Sequence, residues 1–134
     1  MSEKGSEPGN MFRFQDLEIW KKAIEICDKL LDLADRLEEK RLYRIADQMR
    51  AAGLSISNNI AEGAGSLSGK EFVQFLNIAR RSTFENANMA IVFERRGWIS
   101  SAERDELLAD LEHECRMITS FIRSLKRQGQ EAQS

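Results

Sequence analysis

The sequence has little of what divides a chain into short elements and little of what performs chemistry. Its 134 residues include one proline, eight glycines, two cysteines and one histidine. Scarce proline and glycine argue against many short strands joined by turns and favour long helices. No apolar run approaches the roughly 18 residues that a membrane-spanning helix needs. Residues 1–10 lack the apolar stretch of a signal peptide, so a cytoplasmic protein without a membrane anchor is predicted.

The charges nearly balance, with 20 lysines and arginines against 22 aspartates and glutamates. A domain that wraps duplex nucleic acid usually has a strong basic excess, so any contact with nucleic acid must come from a local patch. Hydrophobic residues make up 42% of the chain and charged residues 31%, which is typical of a globular protein. The length is sufficient to bury one hydrophobic core.

Hydrophobic periodicity predicts four long helices joined by short connections. They cover about 15–37, 42–61, 68–96 and from 100 onward. Such helices form an all-α, antiparallel up-down four-helix bundle, which we place at residues 12–127. The small and polar residues outside it predict a disordered leader at 1–11 and a disordered tail at 128–134.

Local signals set the predicted helix ends. Asp16 is the expected N-cap of the first helix. Glycine ends the second helix at 63–65 and the third at Gly97, because it readily takes the left-handed conformation of a C-cap. Capping boxes open the last two helices, with Ser68 paired to Glu71 and Ser100 paired to Glu103.

The third helix has more apolar surface than one seam of a bundle requires. Beside its main stripe, a second stripe of Val73, Phe84 and Ile91 lies about 100° around the helix. A monomeric bundle buries one stripe per helix, so the second stripe needs another partner. The sequence therefore predicts a homo-oligomer with these three residues in its interface.

A polar ridge runs beside the apolar stripe of the second helix and consists of Gln48, Ser55, Asn59 and Glu62. An unpaired polar group at such a position costs roughly 1 to 3 kcal/mol. One interpretation is structural, with hydrogen bonds across helices or to the following loop. The other is a small polar pocket near Glu62 and the adjacent glycines.

Few residues are candidates for chemistry. His113 lies on the polar side of the fourth helix and has no second histidine with which to form a metal site. Glu114 intrudes near the apolar face of that helix, where a cross-helix partner such as an arginine is expected. Cys27 and Cys115 lie among apolar positions and are interpreted as buried small hydrophobes. No catalytic constellation, cofactor or small-molecule substrate is predicted.

Basic residues concentrate late in the third and fourth helices. Two interpretations are open. The side chains are ordinary solvated or interface residues, or they form a composite RNA-binding surface. An oligomer would repeat that surface and strengthen binding through avidity. The candidates are Arg80, Arg81, Arg95, Arg96, Arg123, Lys126 and Arg127.

Several strings over residues 12–125 resemble the family of ribosomal-RNA intervening-sequence proteins. They are Phe14-Gln15-Asp16-Leu17, Gln48-Met49-Arg50, Asn59-Ile60-Ala61-Glu62-Gly63 and Lys70-Glu71-Phe72. The resemblance implies an antiparallel four-helix bundle that assembles into a ring-shaped homopentamer. Genes of the family were first noticed inside intervening sequences of large-subunit ribosomal RNA genes, and its biochemical activity is not established.

Two functional hypotheses remain open. The leading one is a non-enzymatic, homo-oligomeric binding protein whose partner is RNA or a nucleic-acid enzyme. This partner is suggested by a related bundle, the accessory protein of diversity-generating retroelements, which binds nucleic acid and a reverse transcriptase through a basic surface. The alternative is a protein-binding scaffold or adaptor without nucleic-acid contact. An enzyme is least favoured, because no acid-base or nucleophile set is present.

Overall fold

The computed structural model describes residues 11–133, so nearly all of the predicted leader lies outside the described residues. This part of the chain is all-α and contains four long helices and no strand. A 3-10 turn precedes the first helix. The elements are the turn at Arg13–Asp16, α1 at Glu18–Glu39, α2 at Tyr43–Ala64, α3 at Gly69–Arg95 and α4 at Ser101–Gln133.

The start of α1 differs from the prediction. Leu17 occupies the N-cap position without a capping side chain, and Asp16 belongs to the 3-10 turn instead, so the predicted Asp16 cap is wrong. The turn is anchored by aromatic contact, because the rings of Phe14 and Trp20 lie 5.3 Å apart between centroids. The ring contact and the hydrogen bond from Phe12 N–H to Gln15 Oε1 at 3.1 Å both hold the turn that leads into α1.

The predicted capping box is complete at the start of α4, whereas at α3 only its Ser68 half is present. The backbone N–H of Glu71 donates to Ser68 Oγ at 3.1 Å at the start of α3. At the start of α4 the box is reciprocal: Glu103 N–H donates to Ser100 Oγ at 3.1 Å, and Ser100 N–H donates to a Glu103 carboxylate oxygen at 2.9 Å. These bonds satisfy backbone donors that have no intrahelical acceptor.

The glycines have different reasons for their positions. Gly97 has a φ of +78° and ends α3 as predicted. Helix α2 ends within the predicted segment 63–65, with Gly65 as its C-cap, although the φ of Gly65 is −84° and not left-handed. Gly63 lies inside α2 and is buried. A Cβ on Gly63 would lie 2.8 Å from side-chain atoms of both Phe72 and Phe75. Close packing of α3 against α2 explains this glycine.

Consecutive helices pack along their lengths, whereas α1 and α4 are in contact over a shorter stretch. Contacts at the seams show that neighbouring helices run antiparallel. In the first seam Leu30 packs against Gly53, and later residues of α1 contact earlier residues of α2. The diagonal pairs α1 and α3, and α2 and α4, make no contact within residues 11–133. The four helices thus surround one core in an up-down order.

Charged side chains bridge the seam between α1 and α4. Their order is antiparallel, because successive cations along α1 meet carboxylates progressively nearer the start of α4. Arg36 holds the pKa of Glu103 down at about 2 through its hydrogen bond. The pairs are Lys22–Asp110 at 3.0 Å, Lys29–Asp110 at 2.7 Å, Lys29–Glu106 at 2.8 Å and Arg36–Glu103.

Helix α4 is longer than the sequence indicates. It continues through Gln133, whereas a disordered tail is predicted from residue 128. Side chains at 128–132 are exposed, so packing does not hold this segment in place. Its glutamines, Glu131 and Ala132 are compatible with a helix, and Gly129 costs only about 1 kcal/mol relative to alanine.

Candidate binding surface and buried polar groups

The structure divides the predicted polar ridge. Ser55 and Asn59 lie in the seam between α2 and α3, whereas Gln48 and Glu62 are exposed. The hydroxyl oxygens of Ser55 and Ser82 lie 2.8 Å apart, which joins the two helices. The Asn59 amide donates to the Ser55 carbonyl at 2.8 Å. Two of the four residues therefore share a hydrogen-bonded cluster.

Asn86 is the central polar residue of this seam, and sequence reasoning missed it. It is fully buried on α3 and donates to the Ala52 carbonyl of α2 at 2.9 Å and to the Ser82 carbonyl at 2.8 Å. Its Oδ1 has no hydrogen-bond partner among the described residues. The sequence did indicate that Asn86 is buried, because it lies seven residues after Ala79 and four before Ala90, on the main apolar stripe of α3.

Glu114 lies in the core with neither carboxylate oxygen hydrogen-bonded in the described part of the chain. The expected arginine partner is absent there, so that prediction is wrong. Burial raises the pKa of Glu114 to about 8, and the positive charge of Lys22 acts in the opposite direction. Lys22 itself is hydrogen-bonded to Asp110 at 3.0 Å. The carboxyl group is consequently mostly protonated at neutral pH.

The second apolar stripe of α3 is exposed at two of its three positions. Phe84 is 61% exposed and Ile91 is 42% exposed. Val73 is only partly buried and packs against the core. Ile78 and Val92 are also exposed, at 39% and 42%, but lie nearer the α2 side of the helix. The outer surface of α3 thus carries apolar side chains on both flanks.

Phe84 borders an apolar groove between α3 and α4. The groove has a volume of about 460 Å³. Its floor and walls are almost entirely apolar, and Glu112 is its one charged residue. The lining side chains are Thr83, Phe84, Ala87, Leu108, Ala109, Leu111, Glu112 and Cys115.

The seven candidate basic residues resemble Arg13, Lys40, Arg41, Arg44 and Lys70 in lacking an ion pair within residues 11–133. Arg36, Arg50 and Arg104, in contrast, are each bonded to carboxylates. Arg80 is half-buried and the other six are exposed. The guanidinium of Arg96 lies 5.7 Å from the centre of the Trp98 ring. Most of these charges are therefore directed to solvent.

No group of residues in the described chain has the composition of a metal site. His113 is exposed, Cys27 is buried and Cys115 is half-buried in the groove. None of the helices within residues 11–133 carries an apolar stretch long enough to cross a bilayer. The features that stand out are the groove, the exposed face of α3 and the basic side chains.

These observations define an all-α protein of four antiparallel helices whose third helix carries an exposed apolar and basic surface. The chain belongs to the family of 23S rRNA-intervening sequence proteins, whose family model matches residues 15–120. The resemblance found in the sequence is thereby confirmed.

A solved structure with the same fold comes from Bacteroides thetaiotaomicron. It is a protein of unknown function from the S23 ribosomal protein family, with 23% sequence identity and a TM-score of 0.74. The match covers 78% of this chain and 97% of that one. This likeness concerns the fold alone. None of the curated proteins matches the chain.

We predict that Asn86→Ala destabilises the protein by about 1 to 2 kcal/mol, because two buried hydrogen bonds across and along the seam are lost. Urea unfolding followed by circular dichroism measures the change. Asn88→Ala, an exposed change two residues away, is the control and should stay within about 0.5 kcal/mol of wild type. Equal effects of the two substitutions would contradict the assigned role.

Glu114→Gln should flatten the dependence of stability on pH. The folded state raises the pKa of Glu114 from 4.5 to about 8, so ionisation favours the unfolded chain as the pH rises between these values. Relative to the variant, wild type should lose about 1 kcal/mol of unfolding free energy per pH unit over that range. Below pH 4.5 the difference in unfolding free energy between wild type and the variant should not change with pH. Above about pH 8 it should again become constant.

The measurement is urea unfolding at closely spaced pH values. Glu112→Gln is the matched control, because its carboxylate is exposed on the same helix. Its profile should follow wild type. Parallel profiles of wild type and Glu114→Gln would show that Glu114 is ionised in the folded protein.

Proposed function

We propose that this protein is a non-catalytic, homo-oligomeric scaffold that assembles through the outer side of α3, in the ring of five that the family resemblance implies. The observation that carries the proposal is Phe84, a large aromatic side chain 61% exposed at the edge of an apolar groove. Monomeric proteins rarely leave such a patch open to water. Ile91 extends the patch along the same helix.

Burial of Phe84 would contribute to the free energy of assembly, against the cost of association. Complete burial of a phenylalanine side chain stabilises a contact by about 1.5 to 3 kcal/mol. Each interface of a ring would repeat that gain, and the groove offers space for an inserted side chain. A charged side chain at position 84 would instead lose its hydration on association, and this cost opposes assembly.

The first test is the mass of the purified protein by light scattering after gel filtration. We expect wild type at several times the 15.3 kDa monomer mass, and Phe84→Glu near one monomer. Ile78→Glu is the control, because it adds the same charge to an exposed position on the α2 side of α3 and should leave the mass unchanged. A monomeric wild type would refute the proposal.

RNA is the second candidate partner, favoured by the exposed arginines Arg81, Arg95 and Arg96 on α3. Arg81 and Arg95 are exposed and fourteen residues apart, which places them on the same side of α3. A weak site repeated in one assembly gains affinity through avidity. Binding to phosphates would also release counterions and weaken as salt increases.

We therefore expect wild type to retain a labelled single-stranded RNA at low salt and to release it as salt is raised. Arg81→Glu with Arg95→Glu should lose this binding while the assembly keeps its mass. Lys40→Glu with Arg44→Glu, an equal charge change at exposed positions near the turn between α1 and α2, is the control. RNA retention by the Arg81 and Arg95 variant would reject this surface. Absence of RNA binding in wild type would favour the protein adaptor.

A further inference from the structure

Glu114 and Asp110 are neighbours on the side of α4 that faces α1. They are four residues apart, which places one above the other on the same face of the helix. Side chains of a helix lean toward its N-terminus, so the Glu114 carboxyl group extends toward the turn that carries Asp110. Asp110 is paired across the seam with Lys22 of α1 at 3.0 Å. The buried carboxyl group is therefore directed toward an ion pair between the first and last helices.

Asp110 does not depend on Lys22 alone. Its second carboxylate oxygen lies 2.7 Å from the ammonium group of Lys29, so Asp110 keeps a cationic partner if Lys22 moves. The other partner of Lys22 is Glu25, whose carboxylate is exposed and can be hydrated instead. The Lys22 side chain has a flexible four-carbon stem and is 19% exposed, at the boundary between core and solvent. Lys22 can thus change partners without leaving a buried charge unpaired.

Glu114 has the greatest need of a partner once it is ionised. Within residues 11–133 it is the one aspartate, glutamate, lysine or arginine that is buried. At the seam, Asp110 and Glu25 repel a second carboxylate, whereas Lys22 attracts it. The buried polar residues of α2 and α3 are uncharged: Ser57, Ser82, Thr83 and Asn86. Because an isolated charge in the core is costly, ionised Glu114 requires contact with a cation, and Lys22 is the cation beside it.

We propose that Lys22 exchanges Asp110 for Glu114 when the buried carboxyl group loses its proton, so that a new ion pair forms between α1 and α4 on the core side of the seam. The proton passes to solvent, and Lys29 then neutralises Asp110 alone. The inference concerns a single copy of the chain and does not depend on the proposed assembly. It gives the seam two states, which differ in the partner of one lysine.

The exchange takes place on the alkaline side of neutrality. Burial raises the pKa of Glu114 to about 8, so below this pH the neutral acid offers Lys22 no charge with which to pair. The hydrogen bond to Asp110 raises the pKa of Lys22 above its ordinary value of 10.5, and the ammonium group therefore remains charged throughout. Above about pH 8 a contact with the buried carboxylate, in a medium of low dielectric constant, is stronger than one with the more hydrated Asp110.

Nuclear magnetic resonance can follow all three groups in the wild-type protein. In the full chain labelled with 13C and 15N, the carboxyl carbons of Glu114 and Asp110 and the Lys22 Nζ are recorded from about pH 5 to about pH 10. We expect the three signals to change together with one midpoint. In Glu114→Gln, the signals of Asp110 and Lys22 should stay constant over the same range, because the second partner is then never charged.

Two results would overturn the exchange. If Glu114 titrates while the signals of Lys22 and Asp110 stay constant, Lys22 has remained with Asp110. If Glu114 does not titrate in this range, the carboxyl group never becomes the charged partner that the exchange requires. Both results come from the wild-type protein, so neither depends on the folding of a variant.

Lys22→Met tests the same pairing through stability. Without the ammonium group the folded-state pKa of Glu114 should rise by about one unit or more, because the cation that favours its charged form is lost. The unfolding free energy falls with pH until the folded-state pKa is passed, so the fall should continue beyond pH 8 in this variant. Urea unfolding at closely spaced pH values measures the profile.

Lys21→Met is the matched control. Lys21 precedes Lys22 on the same helix, carries the same charge and pairs with Glu18 at 3.4 Å, away from Asp110. Its profile should level off at the pH where the wild-type profile does. A Lys22→Met profile that levels off at that same pH would show that Lys22 does not pair with ionised Glu114.

Discussion

The close approach of α2 to its two neighbours is the constraint on which the arrangement of this bundle depends. At Gly53 a side chain would meet Leu30 of α1, with 3.1 Å between the two Cβ positions. At Gly63 it would overlap Phe72 and Phe75 of α3. Small residues therefore let both neighbours approach the backbone of α2. Since α4 follows α3 through a short turn, these contacts also determine where the groove between α3 and α4 lies.

The α2–α3 and α1–α4 seams also contain polar contacts, of two different kinds. Between α2 and α3, buried hydroxyl and amide groups join the helices through directional bonds such as Asn86 to Ala52. Between α1 and α4, partly exposed ion pairs such as Lys22 with Asp110 take the place of close packing. Ion pairs of this kind contribute little individually and are screened by salt. The bundle is thus held firmly around α2 and more loosely where its first and last helices meet.

Much of the fold follows from sequence because helix periodicity and capping boxes are local signals. Asn86 was missed, since its residue type argues for exposure whereas its position on the apolar stripe argues for burial. At Glu114 the helical pattern indicated the approach to the core, and only the expected arginine partner was wrong. The ends of α1 and α4 failed for another reason. Leu17 takes the N-cap position that was expected of Asp16, and the helix continues past residue 127 through exposed side chains at 128–132, which show no apolar period. Exposure of Phe84 was foreseeable from the second stripe, but the groove beside it required coordinates.

The looser seam between α1 and α4 has a consequence for native-state fluctuations. Partial opening costs least where few apolar side chains must be exposed, and the ion pairs there can be replaced by hydration and counterions. We therefore expect separation of α1 from α4 to be the partial opening that costs least. It would bring water toward Glu114, which is fully buried in the closed bundle and is influenced by the charge of Lys22 on α1. Hydration of this core carboxyl group would then report on movement of the first helix relative to the last.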